Sequence, residues 1–98
     1  MSPAQLFALS VFAAATTPAL AQQALPPDVQ RFVQRRDLCD HFRGEEPYDA
    51  DRRAFLEART REFCTGTDTD LDALKRKYER RRDVMQRLAH YEVTIESH

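Results

Sequence analysis

Hydrophobic residues recur at helical spacing in three stretches of the chain. The first stretch, about Asp28 to Phe42, begins at a capping residue, and its apolar positions cover one broad face: Val29, Phe32, Val33, Cys39 and Phe42. The second runs from a cap at Asp49 or Asp51 to about Cys64, and it offers five residues to a core: Ala54, Phe55, Leu56, Ala58 and Phe63. No stretch alternates with a period of two, so the pattern predicts no sheet.

A third helix is expected after the capping side chains of residues 67–70, and its apolar seam comprises Leu71, Leu74, Tyr78, Met85 and Leu88. Asp83 could instead begin a short fourth helix over 84–91, with residues 80–82 as a bend, and the pattern leaves both arrangements open. Gly44 and Gly66 are expected to end the first two helices, because glycine tolerates the backbone conformations found there. The predicted fold class is therefore all-α, a small domain of three helices or four.

The N-terminal segment differs sharply in composition from the rest of the chain. Residues 1–21 contain no Lys, Arg, Asp or Glu, whereas the remaining 77 carry all 15 basic and all 16 acidic residues. The apolar run over 6–15 is too short to cross a bilayer, and Ala19-Leu20-Ala21 matches a signal-peptidase site. We interpret 1–21 as a cleaved secretory signal peptide and expect a periplasmic or secreted protein with no membrane span. An N-terminal apolar helix or anchor is the alternative, and the uncharged n-region leaves room for a start codon upstream.

The exported part is expected to form one domain at most. Residues 22–27 are predicted to be a disordered leader, 28–92 the helical domain, and 93–98 a frayed tail. Charged residues make up 32% of the chain, against about 25% in typical globular proteins, and Trp is absent. Because such a composition supplies only a thin core, a domain of this size commonly needs reinforcement.

Cys39 and Cys64 are the only two cysteines, and in an oxidising compartment such thiols tend to pair. A bridge between them would stabilise the domain by roughly 3 to 4 kcal/mol in the chain-entropy model. Both cysteines lie near the C-terminal ends of their predicted helices, so the bridge requires the linker over 43–49 to run back along the second helix. We expect Pro47 to extend this linker and Tyr48 to pack it onto that helix.

A metal-binding or thiol-dependent protein that uses Cys39, His41 and Cys64 is the alternative interpretation. With His90 these residues could form a zinc site, but structural zinc sites show paired ligands at short spacing, and only one Cys-x-His pair is present. A thiol nucleophile needs a converging histidine base, and no redox Cys-x-x-Cys motif occurs. We therefore predict no metal, no cofactor and no catalytic residue, and a protein that is not an enzyme.

Two charge clusters are the candidates for binding a partner. The basic cluster places six cations within eight residues: Lys75, Arg76, Lys77, Arg80, Arg81 and Arg82. The acidic patch comprises Asp37, Asp40, Glu45, Glu46, Asp49 and Asp51. The signal peptide and a net charge of -1 argue against nucleic acid as the partner. A solvated helix face with internal ion pairs is the simplest interpretation; contact with an envelope protein, chiefly through the basic cluster or through Asp40, Glu45 and Glu46, is the functional one.

The order Cys64, Leu71, Leu74 and Tyr78 resembles a known pattern. The chain is similar to small exported helical proteins of Gram-negative bacteria that carry one disulfide and have no assigned activity. Over about forty residues it also resembles the LprI-type lysozyme-inhibitor domain, in which two cysteines flank a helix and the second precedes a Leu-x-x-Leu helix with a downstream Tyr. That resemblance implies lysozyme inhibition as a further alternative. The leading hypothesis is a non-catalytic interaction protein of the cell envelope, with its oligomeric state left open.

Overall fold

The computed structural model describes residues 25–96, so the predicted signal peptide, residues 22–24 and the last two residues lie outside the described part. Within this range, four helices follow one another: α1 (Pro27–Arg43), α2 (Ala50–Cys64), α3 (Thr67–Lys77) and α4 (Arg82–Leu88). Residues 25–96 contain no strand, and the all-α prediction is confirmed. None of these helices combines the length and apolarity needed to cross a bilayer.

Local sequence signals explain most helix boundaries. The side chain of Asp49 accepts a hydrogen bond from the Arg52 amide at 2.7 Å, which confirms the predicted cap of α2. Gly66 adopts a φ of 87° between α2 and α3, a conformation that favours glycine. α1 begins at Pro27, one residue before the predicted cap, because proline fits the first turn of a helix. The choice between three and four helices is resolved as four, with the break at residues 78–81.

The main hydrophobic core lies between α1, α3, α4 and the segment that follows α4. Its buried members are Val29, Phe32, Leu71, Leu74, Val84, Leu88 and Tyr91. Leu25 was predicted from the sequence to lie in a disordered leader, but it packs against this core. The last part of the predicted leader therefore belongs to the folded domain, because an apolar side chain beside Pro26 finds the core within reach.

α2 contributes no residue to this core and buries only Leu56 and Cys64. A disulfide joins Cys64 to Cys39 of α1, with their Cα atoms 4.9 Å apart, which confirms the predicted pairing. Arg35 of α1 donates hydrogen bonds to three carbonyl groups at the end of α2, those of Glu62, Phe63 and Thr65. The disulfide and the hydrogen bonds of Arg35 thus hold the C-terminus of α2 against the second half of α1.

Aromatic contacts set the direction of α2 relative to α1. The ring of Phe42 lies 6.0 Å from that of Phe55 and 5.9 Å from that of Phe63. Farther along α2, Cys64 is bonded to Cys39 and the neighbouring carbonyl groups accept from Arg35, so moving along α2 corresponds to moving back along α1. The two helices are antiparallel, and α2 begins beyond the end of α1.

The linker between α1 and α2 runs alongside α2, as the disulfide requires. Glu45 accepts a hydrogen bond from Arg52 Nε at 2.7 Å, and Pro47 lines a cleft together with Leu56. The predicted packing of Tyr48 is wrong, because this side chain is 79% exposed. A charge-assisted hydrogen bond, rather than an aromatic contact, holds the linker to the helix.

The segment after α4 returns to the start of α3. The amides of Ile95 and Glu96 donate to the carboxylate of Asp68, and the carboxylate of Glu96 accepts from the amides of Gly66 and Asp68. The prediction of fraying from residue 93 is therefore corrected for Ile95 and Glu96, which are anchored. The physical reason is that the first amides of a helix need acceptors, and this tail supplies them.

Arg36 is completely buried at the centre of the domain. Its guanidinium donates to the Glu92 carbonyl at 2.6 Å and to Thr67 Oγ1 at 3.5 Å, and its Cζ lies 6.0 Å from the ring centroid of Phe32 and 5.9 Å from that of Tyr91. A buried cation needs such partners because water no longer solvates it. Arg36 therefore links α1, α3 and the C-terminal segment.

Tyr91 closes the core beside this arginine. Its ring meets Phe32 edge-on, with centroids 5.4 Å apart, and its hydroxyl donates to Asp37 Oδ1 at 2.7 Å. Burial and the hydrogen bond to Asp37 together raise the pKa of Tyr91 to about 12. The neutral phenol is therefore part of the folded structure.

Candidate interaction surfaces

The basic cluster spans the last turn of α3, the α3–α4 turn (residues 78–81) and the first residue of α4. Three of its six cations form ion pairs within the domain. Arg76 pairs with Asp72 at 2.9 Å, Lys77 with Asp28 at 2.7 Å and Arg81 with Asp83 at 2.8 Å. Internal ion pairing therefore accounts for half of the cluster.

The contact with Asp28 fixes the cluster relative to α1. Both Lys77 Nζ and the Tyr78 hydroxyl donate to the Asp28 carboxylate, at 2.7 and 2.8 Å. These hydrogen bonds lower the pKa of Asp28 below its ordinary value, and the bond to Asp28 raises the pKa of Lys77. The C-terminal end of α3 is thus tied to the first turn of α1, which gives the following turn a fixed position.

The other three cations of the cluster point to a different role. Within residues 25–96, Lys75, Arg80 and Arg82 form no ion pair, and the two arginines are exposed to solvent. Glu79, the acidic residue inside the cluster, is exposed and forms no ion pair in the same range. The α3–α4 turn therefore presents cations whose charge is not neutralised by the described part of the chain.

The acidic patch does not pair with the basic cluster. Asp40 contacts Arg43 at 2.9 Å and Arg36 at 3.5 Å, so its partners lie on its own helix. Glu45 binds Arg52, and its second carboxylate oxygen lies 3.9 Å from His41 Nε2. Of the three acidic residues nominated from the sequence, Asp40 thus forms ion pairs within α1, and Glu45 holds the linker to α2.

Three further members of the patch complete this picture. Asp37 accepts from the Tyr91 hydroxyl, whereas Glu46 and Asp51 are exposed and form no ion pair among residues 25–96. Glu46, the third nominated acid, is therefore open to solvent in the linker. The patch is broken into separate contacts and does not form one continuous acidic surface.

The disulfide changes the chemistry open to the Cys39–His41 stretch. Both sulfurs are bonded to each other, so neither is a thiolate in this oxidised form. The His41 side chain is 65% exposed and meets the edge of Phe42, and Nδ1 of His90 faces carbonyl groups of α4. Over residues 25–96, no three His, Cys, Asp or Glu side chains are grouped as ligands for a metal ion. The metal-binding or thiol-dependent alternative would require the reduced protein.

Sequence reasoning missed the polar residues that join distant parts of the chain, above all Arg36 and Glu96. Arg36 carried a readable signal, because it falls between Phe32 and Cys39 on the buried stripe of α1 at helical spacing. Glu96 carried none, since nothing near it in the sequence indicates which amides it caps.

Comparison of the chain with protein-family models, curated proteins and solved structures finds no match. The resemblance to the LprI-type domain therefore stays an expectation drawn from four residues.

Proposed function

We propose that the protein is an exported, non-catalytic interaction protein that binds an acidic protein partner through the α3–α4 turn. The observation that carries this proposal is the division within the basic cluster. Lys75, Arg80 and Arg82 have no ion-pair partner among the described residues, and Asp40 and Glu45 of the acidic patch pair with other residues. Cations left without a counter-charge by the fold are available to a second molecule.

Charge complementarity of this kind chiefly raises the encounter rate and selects among partners. An exposed ion pair contributes only about 0.2 to 1 kcal/mol, so three such pairs give a modest, salt-sensitive interaction. The hydrogen bonds from Lys77 and Tyr78 to Asp28 support specificity, because they fix the backbone that carries the three cations before binding.

Export is the second part of the proposal. The uncharged segment over 1–21 with its Ala-x-Ala site supports secretion, and the disulfide is typical of oxidising compartments. The thin core supports the same conclusion, because α2 contributes no residue to it and is joined to α1 by the disulfide. A periplasmic protein meets these conditions, and envelope proteins are then the accessible partners.

The test compares two variants with the same change in charge. The first carries Lys75→Gln, Arg80→Gln and Arg82→Gln, and the control carries Arg31→Glu and Gln34→Glu, which lower the net charge by the same three units. Both control positions are exposed on α1 and form no ion pair within residues 25–96. Each oxidised protein is immobilised and exposed to envelope extract at about 50 mM and about 500 mM salt, a range over which exposed charges become screened.

We expect the wild type and the control to retain a protein at low salt that high salt and the first variant release. Cross-linking then identifies that protein, and its contact surface should be acidic. Equal retention by the first variant and the control, or retention that salt does not change, would contradict the proposal. Intact-mass analysis of the exported protein tests the cleavage between Ala21 and Gln22.

A further inference from the structure

A shallow groove runs along one side of α2. It consists of two adjoining cavities of about 390 and 400 Å³ that share Arg43, Thr60 and Arg61. Apolar atoms line it through Phe42, Leu56 and Cys64. The linker, with Glu45 and Pro47, borders one end, and the C-terminal segment, with Ile95 and Glu96, borders the other. We call this feature the α2 groove; each cavity lies within the range of about 300 to 1,000 Å³ that is common for ligand sites.

The charges along the α2 groove are not balanced within the domain. Arg53 and Arg61 are exposed and form no ion pair within residues 25–96, whereas Arg43 is engaged by Asp40 and Glu92. Glu57 lies one turn from each of the two free arginines but pairs with neither. The groove therefore offers two available cations on either side of one carboxylate.

The spacing of these two arginines defines what they can bind. Arg53 and Arg61 are eight residues apart on a helix, which corresponds to about 12 Å at 1.5 Å per residue. In an extended chain, residues i and i+4 are about 13 Å apart and point to the same side, as does residue i+2 between them. Leu56 and Phe42 line the groove beside the path from one arginine to the other, so an apolar side chain at i+2 would lie near apolar atoms.

The C-terminal segment already shows how this side of the molecule holds an acidic, non-helical chain. Glu92 reaches Arg43 with an Oε1–Nη2 distance of 2.8 Å, and Glu96 lines the end of the groove while it caps α3. These two acids are themselves four residues apart. A ligand whose two acidic residues have the same four-residue spacing would reach Arg53 and Arg61 farther along α2.

We propose that the α2 groove binds a short, extended peptide segment with acidic side chains at positions i and i+4 and an apolar side chain at i+2. The acids pair with Arg53 and Arg61, and the apolar side chain rests on Leu56 and Phe42. This site is separate from the α3–α4 turn and uses none of its residues. Glu57 opposes binding because it places a like charge between the two carboxylates of the ligand.

The probe is a fluorescein-labelled peptide, Glu-Ser-Leu-Ser-Glu, with blocked ends, titrated with the full oxidised chain and followed by anisotropy. We expect the double variant Arg53→Gln and Arg61→Gln to weaken binding about tenfold, as the loss of two exposed ion pairs requires. Glu57→Gln should strengthen binding about threefold by removing the like charge. Arg31→Gln, an exposed arginine outside the groove, should leave the affinity unchanged, as should the triple variant of the basic cluster.

Several results would overturn the proposal. These are equal binding of Gln-Ser-Leu-Ser-Gln, weaker binding by Glu57→Gln, an effect of Arg31→Gln as large as that of the double variant, or no binding at about 1 mM protein. Competition by free glutamate as effective as by unlabelled peptide would also overturn it, because the groove would then be a simple anion site. Since the variants differ from those of the basic cluster, this proposal can fail while the proposed function stands, and the reverse also holds.

Discussion

Asp68 and Glu96 cap each other's backbone across the start of α3. Glu96 Oε1 accepts from the Asp68 amide, and Asp68 Oδ2 accepts from the Glu96 amide, both at 3.0 Å. Gly66, the N-cap residue of α3, has no side chain to do this work. A residue 28 positions downstream therefore provides the acceptor that a Ser, Thr or Asp usually provides locally.

Glu96→Ala should lower the free energy of unfolding by about 1 to 2 kcal/mol, because two helix amides lose a charged acceptor. Urea denaturation followed by circular dichroism measures this change. Glu79→Ala, which removes an exposed carboxylate with no ion pair in residues 25–96, should change stability by less than about 0.5 kcal/mol. If the two variants were equally stable, the C-terminal segment would not be anchored as described.

Arg36→Ala should be the most destabilising single substitution of an arginine in this chain, at about 3 kcal/mol or more. It opens a cavity, leaves the Glu92 carbonyl without its donor, and removes the cation packed against the rings of Phe32 and Tyr91. The same urea experiment with Arg31→Ala, on the exposed side of α1, gives the baseline. A difference of less than about 1 kcal/mol between the two variants would mean that Arg36 is not a structural centre of the domain.

The helices could be predicted from the sequence, whereas the long-range contacts of Arg36 and Glu96 could not. Periodicity and capping residues are local, so α1, α2 and the Asp49 cap could be predicted to within a residue or two. The disulfide followed from having only two cysteines. By contrast, the partner of Glu96 lies 28 positions away, and many carboxylates in this highly charged chain could compete for the same amides.

The same reasoning applies to the candidate surfaces. The composition of the basic cluster was readable, but which of its cations remain unpaired depends on where Asp28 and Asp83 lie in three dimensions. The α2 groove was not predicted, because it arises where the linker and the C-terminal segment border one helix. The prediction that Tyr48 packs the linker onto α2 was wrong for a related reason. An aromatic residue in a linker forms a contact only where the fold places a surface within its reach.

Replacing both cysteines with serine should lower the free energy of unfolding by about 3 kcal/mol in the chain-entropy model. Because the main core contains no residue of α2, the loss should fall first on that helix. Hydrogen exchange of residues 50–64 should accelerate strongly, and exchange of the buried amides of α1 and α3 much less. Uniform acceleration would contradict this order.

A count of free thiols on the exported, non-reduced protein tests the disulfide directly. We expect no reactive thiol in denaturant before reduction and two afterwards. Two reactive thiols before reduction would revive the metal-binding or thiol-dependent alternative with Cys39, His41 and Cys64.

The free energy of unfolding should depend on pH in the acidic range, because Asp28 becomes protonated there. Its hydrogen bonds from Lys77 and Tyr78 lower the pKa of Asp28 below 3.8, the ordinary value that applies when the chain is unfolded. The contribution is therefore complete above that value and is lost as the pH falls through the folded pKa. Asp28→Asn should be less stable than the wild type at pH 7, and the difference between the two urea midpoints should shrink as the pH falls below 3.8. Asp51→Asn, an exposed position without an ion pair in residues 25–96, controls for removal of a carboxylate.

Tyr91 should act at the opposite end of the pH scale. Burial and Asp37 raise its pKa from 10.0 to about 12, so the neutral phenol stabilises the fold below pH 10. As the pH rises from 10 through about 12, that contribution is lost, because the unfolded chain releases the proton more readily. Tyr91→Phe should lower stability at pH 7 by about 1 kcal/mol through the lost hydrogen bond to Asp37, and it should reduce the further loss above pH 10. Phenolate absorbance of the wild type should show a step near pH 12 that this variant lacks. The same step in both proteins would show that the phenol of Tyr91 is not held as the structure describes.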